Sequence, residues 1–184
     1  VAGRWQFVGR RRQVQKILRE FRRPCHAGVV VHGFGRQGKS SLAARVANRL
    51  PKLKVVVMYG PFSPARLLTE MAIASEDKKL AQYAQKYDEK KDENGTMLLM
   101  KIKNFLESQH AESNPLLVVL DDFEQLLDEP EDESAPHRVK AEYRDTAGAL
   151  IEAFRHCSHN VLSRLLITCR YRFSLSYGGG ELFD

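Results

Sequence analysis

A short segment of the sequence combines glycines, a lysine and a serine in an order whose chemistry is phosphate binding. Residues 33–40 read GFGRQGKS and fit the phosphate-loop pattern G-x-x-x-x-G-K-[ST]. In that pattern, backbone N–H groups surround the β-phosphate, the lysine reaches the β- and γ-phosphates, and the hydroxyl ligates Mg²⁺. The nucleotide-binding residues predicted from this loop are Gly33, Gly35, Arg36, Gln37, Gly38, Lys39, Ser40 and Ser41.

The segments on either side of the loop are of the kind that phosphate binding requires. Residues 28–32 (GVVVH) read as a strand, and residues 41–47 (SLAARVA) read as the start of a helix. The N-terminus of a helix placed after the loop adds the positive end of its dipole. We therefore expect Lys39 to act on the phosphates and to pack against nothing, and Ser40 to be a magnesium ligand.

A second functional site is predicted where an apolar run ends in two carboxylates. Residues 116–122 read LLVVLDD, and five consecutive apolar residues suit a parallel strand buried on both faces. Open α/β sheets bind their ligands at the carboxyl ends of such strands. We expect Asp121 to hold Mg²⁺ through a water molecule and Asp122 to be the catalytic carboxylate that polarises the attacking water. Glu124 is the second candidate for orienting that water.

An arginine follows another apolar run, residues 165–168 (LLIT), one position after Cys169. At the carboxyl end of a strand, the side chain of Arg170 would point into the same crevice as Asp121. A guanidinium there could contact the γ-phosphate and neutralise charge in the transition state, together with Lys39. The alternative is an arginine that lies on the surface without a functional role.

Four residues before the first predicted helix suggest how a base could be bound. Phe7, Val8, Gly9 and Arg10 could form an adenine pocket from backbone N–H and C=O groups. The alternative is a simple hydrophobic staple at the start of the helix. The sequence contains no Asn-Lys-x-Asp run, the usual element for guanine recognition, so the expected ligands are ATP and ADP.

Composition places the chain among compact globular proteins. Its 184 residues are 43% apolar and 28% charged, and its apolar runs are far shorter than the roughly 20 residues that span a bilayer. The three cysteines, Cys25, Cys157 and Cys169, show no C-x-x-C spacing, which favours a reducing compartment and a cytoplasmic location. Because the chain begins with Val1, we expect it to be a piece of a longer multidomain protein.

The positive charge is concentrated at the N-terminus. Residues 1–27 hold eight Lys or Arg and one Glu, a net charge of +7 within a chain total of +6. One interpretation is a surface for nucleic acid. The other is the solvated face of an amphipathic helix, because Val14, Ile17, Leu18 and Phe21 recur at helical spacing.

Strand-like and helix-like segments alternate along the chain, which predicts a doubly wound, mainly parallel sheet in a three-layer α/β domain. The predicted strands are residues 28–32, 54–59, 116–120 and 165–168. We expect one nucleotide-binding domain over residues 1–184, with the basic helix and adenine-side motif in 1–27 and the α/β core in 28–184. The acidic residues 128–137 are expected to form an exposed loop, and the charged stretch up to about Lys91 a helix.

Together these motifs resemble the NB-ARC/NACHT-like nucleotide-binding module of the STAND class, the signal-transducing P-loop ATPases with numerous domains. This class is related to the AAA+ and apoptotic ATPases. The resemblance covers nearly the whole chain. The matching segments are residues 7–10, the phosphate loop 33–41, the acidic strand 116–122 and the sensor strand 166–170 with its terminal arginine. It implies an ASCE-type P-loop fold in which the phosphate-loop strand lies centrally, next to the Asp121 strand and the sensor strand.

The resemblance also implies a function. We expect ATP and ADP binding with slow, Mg²⁺-dependent hydrolysis, used as a switch on effector and sensor or repeat domains of the same parent chain, and a nucleotide-dependent homo-oligomer is left open. Two alternatives are a nucleotide-gated scaffold without hydrolysis and a DNA-associated AAA+-like ATPase. Two positions depart from the family pattern: Gln13 stands where members often have Glu, and Arg36 stands where many have Gly.

Overall fold

Strands and helices alternate in the computed structural model, which describes residues 10–130, 132, 135–157, 159 and 161–182. The helices are α1 (Arg11–Glu20), α2 (Lys39–Ala47), α3 (Pro64–Ser75), α4 (Lys78–Lys86), α5 (Thr96–Leu106), α6 (Gln109–Ser113) and α7 (Ala141–Cys157). The strands are β1 (Gly28–His32), β2 (Lys54–Tyr59), β3 (Leu116–Asp121), β4 (His137–Arg138), β5 (Arg164–Cys169), β6 (Phe173–Ser174), β7 (Ser176–Tyr177) and β8 (Gly180–Glu181). The predicted α/β class and the four main strands are confirmed. None of the helices in these ranges is long and apolar enough to cross a membrane.

The main sheet is parallel and has the order β1-β5-β3-β2. The sensor strand β5 lies between the phosphate-loop strand β1 and the acidic strand β3. The expectation that β1 is central and next to the Asp121 strand is therefore wrong, since β1 lies at an edge among the described strands. Parallel strands are joined by long crossovers, which can carry the chain past a neighbouring position, so sequence order does not set strand order.

The central strand β3 is buried along its whole length because helices cover both faces of the sheet. Leu116, Val118 and Leu120 belong to the core cluster that includes residues of α3, α5 and α7. Leu117 and Val119 face the other way and belong to the cluster that includes residues of α1 and α2. This two-sided burial explains the unbroken apolar run, since each such side chain contributes about 1.5–3 kcal/mol when it leaves water.

The charged stretch after α4 is not one helix. Helix α4 ends at Lys86, and two single 3₁₀ turns follow, so the prediction of a helix to about Lys91 is wrong. Tyr87 is extended directly after α4, and the Asp88 and Asp92 side chains bond to backbone amides of the turns and the helix that follow. Asp92 accepts hydrogen bonds from the N–H groups of Met97 and Leu98 at 2.7 and 2.8 Å, and Asp88 accepts the N–H of Lys90.

The segments that follow β3 and β5 are tied together beyond the sheet. Strand β4 pairs in parallel with β6, so His137, at the end of the predicted acidic loop, is a strand residue. The ring of Phe123 packs on the ring of Phe173 with centroids 4.7 Å apart. Strands β7 and β8 form an antiparallel pair near the C-terminus. These contacts hold the ends of the acidic and sensor strands in a fixed relation.

Candidate nucleotide site

The phosphate loop joins the end of β1 to the start of α2. Gly38 precedes the helix with φ 73° and ψ 39°, and its carbonyl accepts the N–H of Leu42 at 2.9 Å. Glycine adopts this left-handed conformation without steric cost, which lets the chain turn sharply into the helix. Ser40 is exposed and Ser41 half-buried in the first turn of α2. The free N–H groups and positive dipole end of α2 therefore face the loop.

Arg36 occupies a conformation within the loop that favours glycine. Its φ is 59°, in the left-handed region. A non-glycine residue there costs roughly 1–2 kcal/mol, because Cβ approaches the following carbonyl oxygen. This is the position at which the resembling family often has glycine, so the departure in sequence places a strained arginine in the loop.

Lys39 is buried, with 7% of its surface exposed. Its Nζ donates hydrogen bonds to the carbonyl oxygens of Gly33 at 2.8 Å and Phe34 at 3.1 Å. The expectation that this side chain packs against nothing is wrong, because a buried ammonium requires hydrogen-bond acceptors and the loop supplies them. The same two bonds direct the charge along the inner side of the loop.

Thr168 links the two acidic residues at the end of β3. Its hydroxyl donates to Asp121 Oδ1 at 2.5 Å and accepts the backbone N–H of Asp122 at 3.1 Å. Thr168 is fully buried, and Asp121 is 8% exposed. The sequence motifs assign no role to Thr168. Its signal is a single hydroxyl after three apolar residues of β5, and it gains meaning because β5 lies beside β3.

Asp122 has φ 54° and ψ 45°, a second strained position at the site. Its carboxylate accepts a hydrogen bond from the hydroxyl of Tyr59, which lies at the end of β2. That hydrogen bond, and then the negative charge of Asp122, raise the pKa of Tyr59. Because Tyr59 is 57% exposed, this contact leaves Asp122 open to solvent, and its role toward water stays a prediction.

Arg170 lies against the phosphate loop and pairs with Glu124. A methyl group placed on Gly35 would lie 3.4 Å from Arg170 Cζ, so the guanidinium lies beside the loop. Arg170 Nε is 2.7 Å from Glu124 Oε1, and the Arg170 backbone N–H donates to Glu124 Oε2 at 3.2 Å. The predicted contact of Arg170 with a γ-phosphate stays a prediction, and its pairing with Glu124 is a feature that the sequence motifs did not indicate.

His32 anchors the segment that follows Arg170. Its Nδ1 lies 2.8 Å from the carbonyl oxygen of Tyr171, in hydrogen-bond contact. Partial burial lowers the pKa of His32. The hydrogen bond to Tyr171 acts in the opposite direction, and the charge of Arg172 lowers the pKa further. The lowered pKa favours the neutral form of this imidazole next to the loop.

The donor set fits magnesium. The described residues contain no group of three or more His, Cys, Asp or Glu side chains that could hold a metal by themselves. Mg²⁺ in nucleotide sites uses one or two protein oxygens together with phosphate oxygens and water. Ser40 offers a hydroxyl, and Asp121 offers Oδ2, since its Oδ1 is bonded to Thr168.

The adenine-side motif lies almost entirely outside the described residues. Phe7, Val8 and Gly9 are not among them. Arg10 is described and lies directly before α1 with φ 58°, where its carbonyl accepts the N–H of Val14 at 3.0 Å. Its predicted role near the base stays a prediction.

A parallel sheet, a phosphate loop between β1 and α2, and a carboxylate pair at the end of β3 define a P-loop NTPase. The family described as "AAA ATPase domain" matches residues 6–135, most of the chain, so the chain belongs to that family. The matched span contains the phosphate loop, Asp121 and Asp122, whereas Thr168 and Arg170 lie after it. No curated protein matches the chain.

Proposed function

We propose that this chain is an ATP- and ADP-binding switch module of the STAND class, Mg²⁺-dependent and slow to hydrolyse ATP. The observation that carries the proposal is the placement of Arg170, which lies beside Gly35 of the phosphate loop and pairs with Glu124 after the acidic strand. A cation in that position can contact a third phosphate that only ATP provides. A difference in ligand contacts of this kind is what a nucleotide switch requires.

Binding follows from the loop and the helix behind it. The N–H groups at the start of α2 and the loop glycines surround the β-phosphate. Lys39 exchanges its hydrogen bonds to Gly33 and Phe34 for bonds to phosphate oxygens, which are stronger because both partners are charged. Mg²⁺, when bound through Ser40 and Asp121, neutralises charge on the phosphates.

Slow hydrolysis is part of what the resemblance to STAND modules implies. Asp122 would orient the attacking water beside the exposed hydroxyl of Tyr59, whose pKa this carboxylate raises. Lys39 and Arg170 would stabilise charge as the γ-phosphoryl group departs. A module of this kind spends long periods in each nucleotide state, which suits regulation better than turnover. A nucleotide-gated scaffold without hydrolysis is separated from this proposal by measuring phosphate release.

The switch would act through the segment after Arg170. The backbone N–H of His137 donates to the carbonyl oxygen of Arg172 at 3.3 Å, and the rings of His137 and Tyr171 stack with centroids 4.1 Å apart. A γ-phosphate bound by Arg170 would bias the position of this packed segment. The partners proposed for it are effector and sensor or repeat domains of the same parent chain, with nucleotide-dependent self-association as a second readout.

The test compares binding of ADP and a non-hydrolysable ATP analogue by calorimetry. Arg170→Ala should weaken affinity for the analogue about five- to thirtyfold more than for ADP, the effect of one charge-assisted bond. Arg172→Ala, which removes an exposed arginine two positions later, is the matched control and should change neither. Equal losses for both ligands in Arg170→Ala would contradict the switch role.

A nucleic-acid partner is the second candidate, and the surface of α1 favours it. Val14, Ile17 and Phe21 are buried against the core, which confirms the amphipathic interpretation of this helix. The outward face is exposed and basic, with Arg11, Arg12, Lys16, Arg19, Arg22 and Arg23. Binding to duplex DNA should then fall steeply with salt and be lost when Arg11, Arg12 and Lys16 are changed to Glu. Binding that is absent at low salt would remove this candidate.

A further inference from the structure

Glu124 is held in an unusual way for a residue next to the acidic pair. It lies on the 3₁₀ turn Phe123–Leu126 that follows β3, and only 9% of its side chain is exposed. One carboxylate oxygen accepts the backbone N–H of Arg170, and the other lies 2.7 Å from Nε of the same residue. Glu124 therefore contacts both the backbone and the side chain of Arg170.

These contacts leave part of each side chain available for hydrogen bonding. Glu124 Oε1 is buried and has no aligned hydrogen bond to the described residues, so its contact with Arg170 is one of charge. The terminal nitrogens of Arg170 make no hydrogen bond within the described part of the chain, and Nη1 would lie 3.5 Å from a methyl group on Gly35. The guanidinium is thus fixed at Nε while its outer donors lie beside the phosphate loop.

We propose that Glu124 is a positioning residue that sets the preference of the site for a nucleoside triphosphate over a diphosphate. The inference rests on the proposed function and assigns Glu124 a role other than orienting water. A free arginine loses rotational freedom when it binds a phosphate. An arginine already fixed at Nε loses less, so the γ-phosphate contact is strengthened and contacts to the α- and β-phosphates are unaffected.

The pair also predicts that the effect of Glu124 on stability depends on Arg170. A buried carboxylate that loses its cation is left uncompensated, which destabilises a fold more than removal of both partners. Arg170→Ala should therefore lower the melting temperature, and Glu124→Gln added to it should restore part of the loss.

The experiment is a double-mutant cycle on the wild-type chain, Glu124→Gln, Arg170→Ala and the double variant. Calorimetry would measure binding of ADP and a non-hydrolysable ATP analogue, and a melting curve would accompany each protein. Glu124→Gln should weaken the analogue about five- to tenfold and change ADP less than about twofold. In the Arg170→Ala background the same change should add nothing to the loss. Glu129→Gln, an exposed acid five positions later, is the control and should be silent.

Other outcomes would overturn the inference. Additive losses from the two single changes would show that Glu124 does not act through Arg170. Unchanged affinities with a loss of phosphate release in Glu124→Gln would make Glu124 the residue that orients water. If Glu124→Gln fails to fold, Glu124→Asp keeps the charge on a shorter side chain, and it should retain folding with an intermediate loss of ATP preference. A wild-type chain that binds neither nucleotide would instead refute the proposed function itself.

Discussion

Thr168 Oγ1 lies 2.5 Å from Asp121 Oδ1, and Thr168 Oγ1 also accepts the backbone N–H of Asp122 at 3.1 Å. One hydroxyl on β5 therefore orients the predicted magnesium carboxylate and fixes the backbone of the next residue. This is possible because β5 pairs with β3 in the sheet. The arrangement leaves Asp121 Oδ2 as the oxygen that can act on a magnesium-bound water.

Replacing Thr168 with valine should disturb both acidic residues at once. Thr168→Val keeps the shape but leaves the Asp122 amide without its acceptor, so unfolding free energy should fall by about 1–3 kcal/mol in urea denaturation. Magnesium-dependent ATP binding should weaken because Asp121 loses its fixed orientation. Thr168→Ser keeps the hydroxyl and should stay close to wild type. A valine variant as stable as wild type would contradict the bridging role.

Asp121 and Asp122 should have different functions, which two variants can distinguish. Asp121→Asn should weaken Mg²⁺-dependent ATP binding about tenfold, the effect of losing one charged hydrogen-bond partner. Asp122→Asn should leave binding intact and lower phosphate release about a hundredfold, since asparagine tolerates the left-handed conformation but is a poor base. Tyr59→Phe, which frees Asp122, should not lower release. Identical behaviour of the two Asn variants would refute the division of roles.

Lys39 should be required for binding of either nucleotide. Lys39→Met keeps the buried stem and removes the charge, so affinity for ATP and ADP should fall about ten- to hundredfold in calorimetry. Circular dichroism should still report a folded chain. The exposed Lys52 provides the control, and Lys52→Met should bind as wild type does. Unchanged affinity in Lys39→Met would refute the phosphate-loop assignment.

The strain at Arg36 can be measured by comparing two substitutions. At ordinary positions alanine is more stable than glycine by about 0.5–1 kcal/mol. At φ 59° the order should reverse, so Arg36→Gly should be more stable than Arg36→Ala by about 0.5–1 kcal/mol in urea denaturation. Ala44→Gly in the exposed face of α2 is the control and should destabilise by about 1 kcal/mol. Alanine exceeding glycine at position 36 would contradict a strained loop.

Part of the site could be read from sequence because its chemistry lies in contiguous residues. The phosphate loop needs its glycines, Lys39 and Ser40 within one short segment of the chain, and that segment has a recognisable sequence pattern. The unbroken apolar run of β3 indicates a buried strand. The Ser63-Pro64 pair at the start of α3 is likewise a local pattern, and Ser63 accepts the N–H of Arg66 at 3.3 Å. Local hydrogen bonding and burial on two faces can both be predicted from short segments of sequence.

The sequence by itself therefore determined an α/β P-loop domain, the residues of its phosphate loop and the acidic end of its third strand. Only the tertiary structure decided the strand order, and with it every contact between β5 and β3. Thr168 and Asp121 are 47 residues apart, and Arg170 and Glu124 are 46 apart, so no local pattern joins them. Their pairing arises from parallel strands brought together by a crossover, and it is this placement that turns two separate motifs into one candidate site.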